Sequence, residues 1–175
     1  MKKTFIMAFA LLIIFSCSAF AAANNSVGVV IVGGAEFKTK DYYKMISSVF
    51  DLNKSRDKVG DEIQGKYQKF LLERDLLGEK IPRKQYLIDF AARSGCSKVL
   101  FLMIDSTADH QNDFKKSQKN RLSIQVDAYL CDSLQVIDVQ TTGQESNSKT
   151  SDLRARRKAF KKCLEELSKT MKNFS

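Results

Sequence analysis

Val27-Gly-Val-Val-Ile-Val-Gly-Gly34 decides how the rest of the chain is read. It is a nearly continuous apolar, β-branched run stopped by a glycine pair. Such a run suits a strand covered on both faces, as in the middle of an α/β sheet. The glycine pair raises the question of a phosphate-cradling turn. A dinucleotide fingerprint needs Gly-x-Gly-x-x-Gly between strand and helix. Here Gly33-Gly34-Ala35-Glu36-Phe37-Lys38 lacks the third glycine, and Glu36 would meet a phosphate with like charge. No Gly-Lys-Ser/Thr follows, so a Walker loop is absent too. The expectation is structural: the glycines let the backbone leave the sheet with positive φ. No cofactor is expected.

Downstream, the pattern changes to helical spacing. Tyr43, Ile46 and Phe50 recur at that period, as do Tyr42, Met45 and Val49, and Asp41 is placed to cap the helix. Lys58-Val59-Gly60 is read as a very short strand. A helix from Asp61 to about Leu77 follows, with Ile63, Tyr67, Phe70 and Leu71 on one side and Gly60 and Gly78 as brackets. Pro82, the one proline, marks the start of the next helix, and Gly95 its stop after Arg93. Lys98 to Ile104 then reads as a second buried strand. Helix, glycine, buried strand is ordinary α/β punctuation.

Ser106 to Asn120 is polar, a mobile connection or a long hairpin tip. Leu122, Ile124, Val126, Ala128 and Leu130 alternate with polar residues, giving a strand with one buried face. Asp132-Ser133 makes a turn, and Leu134 to Thr141 returns as the antiparallel partner. Gln144 to Ser151 reads as a polar loop. Leu153, Phe160, Leu164, Leu167, Met171 and Phe174 mark the apolar face of a closing helix whose other face is basic. The fold expected is mixed α/β (α+β): a four- to five-stranded mixed sheet, about four helices, and an antiparallel hairpin near the C-terminus followed by an amphipathic helix.

Upstream, Met1-Lys2-Lys3 precedes an apolar run from Phe5 to Phe15 and then Ser16-Cys17-Ser18-Ala19-Phe20-Ala21. A charged start, an apolar run too short to span a bilayer, and a small-x-small site together read as a secretory signal peptide cut after Ala21. The domains expected are residues 1–21 as signal and 22–175 as one mixed α/β domain. Ile14-Phe15-Ser16-Cys17 competes as a lipobox, with Cys17 the acylated residue. The chain is therefore expected in the periplasm or secreted, or else lipid-anchored to the membrane. Membrane contact is expected only if Cys17 is lipidated.

Three further cysteines, Cys96, Cys131 and Cys163, allow at most one intramolecular disulfide. None forms a Cys-x-x-Cys pair, so zinc and redox chemistry are not signalled. The formal net charge is +9, with Lys2 and Lys3 in the signal. Basic charges are spread along the chain, as ordinary solubilising charge is. No nucleic-acid partner is expected. Binding of an anionic polymer or membrane through the closing helix is the alternative that its basic face raises.

The one histidine lies in Asp105-Ser-Thr-Ala-Asp109-His110-Gln-Asn-Asp113. Asp105, Asp109 and His110 are the candidate catalytic or metal-binding set, since acid and imidazole groups at a strand end suit hydrolysis or metal binding. The segment lacks turn-fixing glycines and does not match an EF-hand, so a solvated loop is the favoured reading. Tyr42, Tyr43 and Tyr67 offer an aromatic carbohydrate platform, but their helical spacing favours core positions.

The strand Val27–Val32, the unit Phe90-Ala-Ala-Arg-Ser-Gly-Cys-Ser-Lys-Val-Leu-Phe-Leu102, the hairpin strand Ile124–Asp132 and the closing Ala159–Leu164 segment carry a resemblance of element order. In it the chain resembles small exported bacterial envelope proteins: the α/β domains of the curli-secretion lipoprotein, the penicillin-binding-protein activator lipoproteins and the amino-terminal domain of the Tol translocation protein. The resemblance implies a non-enzymatic adaptor or assembly module whose partner is another envelope protein. The alternative is a hydrolytic or metal-dependent envelope enzyme using the Asp105–Asp113 loop.

Overall fold

The computed structural model describes residues 26–52, 56–77, 83–111, 119–148 and 151–171. Ala21 and Cys17, Gly78 and Pro82, Asp113 and Phe174 lie outside those residues. Among the described residues no helix is long and apolar enough to cross a membrane.

Five strands form one mixed sheet: β1 (Val27–Val32), β2 (Lys58–Val59), β3 (Lys98–Gln111), β4 (Lys119–Cys131) and β5 (Val136–Ser148). Their order across the sheet is β2-β1-β3-β4-β5. The first three are parallel, and β3-β4-β5 is an antiparallel meander. Four α-helices cover it: α1 (Lys40–Val49), α2 (Asp61–Leu72), α3 (Lys84–Ser94) and α4 (Asp152–Thr170). The expected α/β class, mixed sheet and closing helix are all present.

Strand alternation sorts the core onto two faces. Val29, Ile31, Leu100, Leu102, Ile124, Val126 and Ala128 point to the face covered by α1 and α4. Val30, Val99, Phe101 and Met103 point to the face covered by α2 and α3. That is why Val27–Val32 is apolar at every step: both of its faces are buried.

On the first face, the Phe37, Tyr42 and Phe160 rings meet at 5.2–5.7 Å between centroids. On the second, Tyr67, Phe90 and Phe101 pack edge-on at 5.0–5.9 Å. Each buried ring contributes roughly 1.5–3 kcal/mol from burial. Tyr42, Tyr43 and Tyr67 are all core residues. The apolar stripe of α4 likewise packs on the sheet through Ala155, Ala159, Phe160, Cys163, Leu164 and Leu167.

Several local expectations are corrected. Asp41 does not cap α1. Thr39 is the N-cap residue, without a side-chain bond, and Asp41 sits inside the first turn, where its carboxylate pairs with Arg157 of α4. Helix α2 stops at Leu72, and Leu77 lies beyond it. Leu153 falls outside the buried stripe and is 48% exposed, because α4 meets the sheet from Ala155 onward.

The largest correction concerns the hairpin. Asp105 to Gln111 is strand, not loop, paired in continuous register with Lys119 to Gln125. Likewise, Gln144 to Ser148 continues β5. Polar side chains hid both extensions, because backbone ladder bonds, rather than burial of a second face, hold them in place.

Candidate functional site

β1 ends at Val32, opposite Met103 of β3, but β3 runs on to Gln111. The notch left where β1 stops is a cleft of about 540 Å³. It lies at the carboxyl end of β1, beside the point where the connections diverge: β1 leads to β2 on one side, while its other neighbour is β3. Ligand sites of open α/β sheets form at such switch points. The cleft falls within the range of small-ligand sites.

Its parts come from four elements. Helix α2 supplies the wall with Tyr67, Gln68 and Leu71, and Leu77 adds an exposed apolar lip. Tyr67 is held rigid by the Phe70, Phe90 and Phe101 rings. The floor is Met103 and Asp105 of β3 with Gln125 and Asp127 of β4. Lys38 and Gly33 close the end.

Met103 pairs with Asp127 and Asp105 with Gln125. The two carboxylates are therefore diagonal neighbours on one face, about 7 Å apart at their Cα atoms. Asp127 accepts a 2.8 Å hydrogen bond from Thr141 Oγ1. Among the described residues neither Asp105 nor Asp127 forms an ion pair. The cleft thus offers an apolar wall, two carboxylates and one half-buried ammonium.

Gln64 fixes the wall to the sheet. Its Oε1 accepts from Ile31 N–H at 2.9 Å, and its Nε2 donates to Ile31 C=O at 3.0 Å. Tyr43 Oη donates to the same Oε1 at 3.3 Å. Burial, with Asp61 adding to it, pushes the Tyr43 phenol up, so it stays protonated as a donor.

The expected conformation of the glycine pair is corrected. Gly34 has φ −58°, and among the described residues the positive-φ glycines are Gly60 and Gly95. Gly33 is needed for space. A Cβ there would stand 2.9 Å from the Ile104 carbonyl oxygen and 3.2 Å from Ile104 Cβ. The pair therefore lets β1 end tight against β3 and borders the cleft.

Asp105 of the expected catalytic set lines the cleft, as does Tyr67 of the expected aromatic platform. Asp109 and His110 sit farther along β3, opposite Arg121 and Asn120. Extended strand separates the backbones of Asp105 and His110 by roughly 17 Å. The strand thus spreads out what the sequence places close together. Among the described residues no group of three His, Cys, Asp or Glu side chains could hold a metal ion.

Cys96, Cys131 and Cys163 are free thiols. Burial pushes Cys131 up to about 12 and Cys163 up to about 11, with Asp132 and Glu166 adding to it respectively. Both are inert core residues at neutral pH.

Sequence reasoning missed Lys38, Gln64, Gln68 and Asp127 as cleft residues. Gln64 left a signal: it is a lone amide beside Ile63, on the stripe shared with Tyr67 and Phe70. Lys38 and Asp127 left none, since their presence at one cleft depends on strand order.

No protein-family model matches the chain, and no curated protein matches it. The solved structures that are similar in part include two lipoprotein structures. A minor lipoprotein from Acinetobacter baumannii is 10% identical, with TM-score 0.39 over 83% of this chain and 86% of its own. A structure described as a lipoprotein from Caulobacter crescentus CB15 is 11% identical, with TM-score 0.36 over 85% of each chain. Scores this low do not establish a common fold, so fold and site stand on the geometry above.

Proposed function

We propose that this is an exported, non-enzymatic recognition domain of the cell envelope that holds a segment of a partner protein in the cleft beside β1. Residues 1–21 are the export signal and residues 22–175 the domain. The observation that carries the reading is the cleft itself, with an apolar α2 wall facing two carboxylates. Such a surface suits an extended segment bearing apolar and basic side chains. From the cleft floor the sheet face runs on through exposed Thr107, Gln125 and Thr141, so a bound segment is not forced to end there. Export rests on the charged start and short apolar run at Met1–Ala21.

The test is site-specific photo-crosslinking in the native host. A crosslinker replacing Gln68, on the cleft wall, is expected to give one discrete adduct. A crosslinker replacing Lys66, an exposed residue of the same helix outside the cleft, gives none. Asp105→Lys with Asp127→Lys removes the adduct. Equal adducts from both positions, or none from Gln68, would sink the reading. Intact mass of the purified chain tests export: a start at Ala22 means a free domain, and an acylated Cys17 means a tethered one.

A further inference from the structure

The two edges of the sheet are finished in opposite ways. On the β2 side, β2 pairs only with Gly28 and Val29, and side chains complete the edge of β1. Asp57 Oδ1 accepts from Val27 N–H at 2.9 Å, and the Gln64 amide serves both backbone groups of Ile31. Among the described residues the β5 side has no such closure. β5 is a 13-residue edge strand, and no described strand pairs with its outer side. Alternate residues of an edge strand turn their N–H and C=O groups outward. Proteins normally blunt such edges with lysine, proline or bulges. From Val136 to Ser148 there is no lysine, arginine or proline, and the one register shift lies at Leu130/Cys131, where β5 begins.

We propose that two copies of this chain pair through β5, antiparallel, about a two-fold axis at Thr142. Side-chain alternation requires directly opposite residues to share a face, so the axis must pass a residue facing its own copy. Thr142 is the midpoint of Val136–Ser148, and centring there pairs the whole strand. Gln140 then faces Gln144, Thr141 faces Gly143, and Val139 faces Glu145. Asp138 faces Ser146, so no charge meets a like charge. The chain carries +9 overall, yet β5 carries only Asp138 and Glu145, so the contact avoids the basic surface. The contact is isologous, as closed dimers require.

The test is sedimentation velocity with the mature chain purified from its host. Wild type is expected to sediment as two chains. Thr141→Lys with Gly143→Lys sets like charges opposite each other twice and weakens pairing about tenfold or more. Both positions are exposed, and a Cβ at Gly143 approaches nothing closer than the Ile124 carbonyl oxygen at 3.9 Å, so circular dichroism should be unchanged. A wild type that stays one chain at every concentration overturns the proposal. So does a folded double variant that remains two chains. If that variant does not fold, Thr141→Cys mixed with Gly143→Cys decides. Oxidation then links the two variants if β5 pairs as stated, and absence of the link overturns the proposal.

Discussion

Gln64 does for Ile31 what a neighbouring strand would do. Its amide accepts from the Ile31 N–H and donates to the Ile31 C=O, at 2.9 and 3.0 Å, just past the end of two-residue β2. Gln64 is only 6% exposed, so no water replaces it cheaply. Gln64→Leu strands two buried backbone groups, each costing about 1–3 kcal/mol. The expected loss is about 2–6 kcal/mol by urea denaturation. Gln64→Glu adds a pH signature. Only the protonated acid can donate to Ile31 C=O, so its folded pKa is raised. The stability it retains is full below the unfolded carboxyl pKa and lost as pH rises through the folded one. A Gln64→Glu protein equally stable at pH 4 and pH 7 would refute the bridging role.

Gly33 and Gly65 should respond to alanine with opposite signs. At Gly33 the new methyl meets the Ile104 backbone, which cannot swing away. Gly33→Ala is expected to cost about 1–3 kcal/mol. At Gly65, exposed in α2, a Cβ meets nothing within 4 Å. Gly65→Ala should stabilise by about 0.5–1 kcal/mol through helix propensity. Thermal melts of the two variants read this directly, and a shared sign would contradict it.

Glu166 links α4 to β5. Hydrogen bonds from Thr142 and Gln144 lower its pKa, with Lys169 assisting against partial desolvation. A depressed folded pKa means stability present above the unfolded carboxyl pKa and lost as pH falls through the folded value. The melting temperature of wild type should therefore fall below the ordinary carboxylate range more steeply than that of Glu166→Gln. Parallel acid limbs for the two proteins would show that the contact contributes nothing.

Thiol reactivity should single out Cys96. Cys131 and Cys163 are fully buried with raised pKa values, whereas Cys96 is half-buried beside Gly28. Iodoacetamide on a native chain starting at Ala22 is expected to modify Cys96 alone, and all three of its cysteines after unfolding. Mass spectrometry checks this. Native labelling of Cys131 would mean that the β3-β4 ladder opens far more readily than its pairing implies.

Val27–Val32 and the alternation from Leu122 to Leu130 made the mixed sheet legible in the sequence, and the Phe160–Leu167 spacing made the closing helix legible. In each the burial pattern is local, so periodicity along the chain reports it. The outer halves of the β3-β4-β5 meander were not legible, because Ser106–Gln111 and Gln144–Ser148 are held by backbone pairing that side chains do not advertise. The cleft was not legible either. It exists because β3 outruns β1 and because the order β2-β1-β3-β4-β5 sets Asp127 beside Met103, in the cleft that Tyr67 also lines. The sequence by itself determined which residues seek the interior. Only the tertiary structure decided which polar residues meet, since strand order and relative strand length are properties of the assembled sheet.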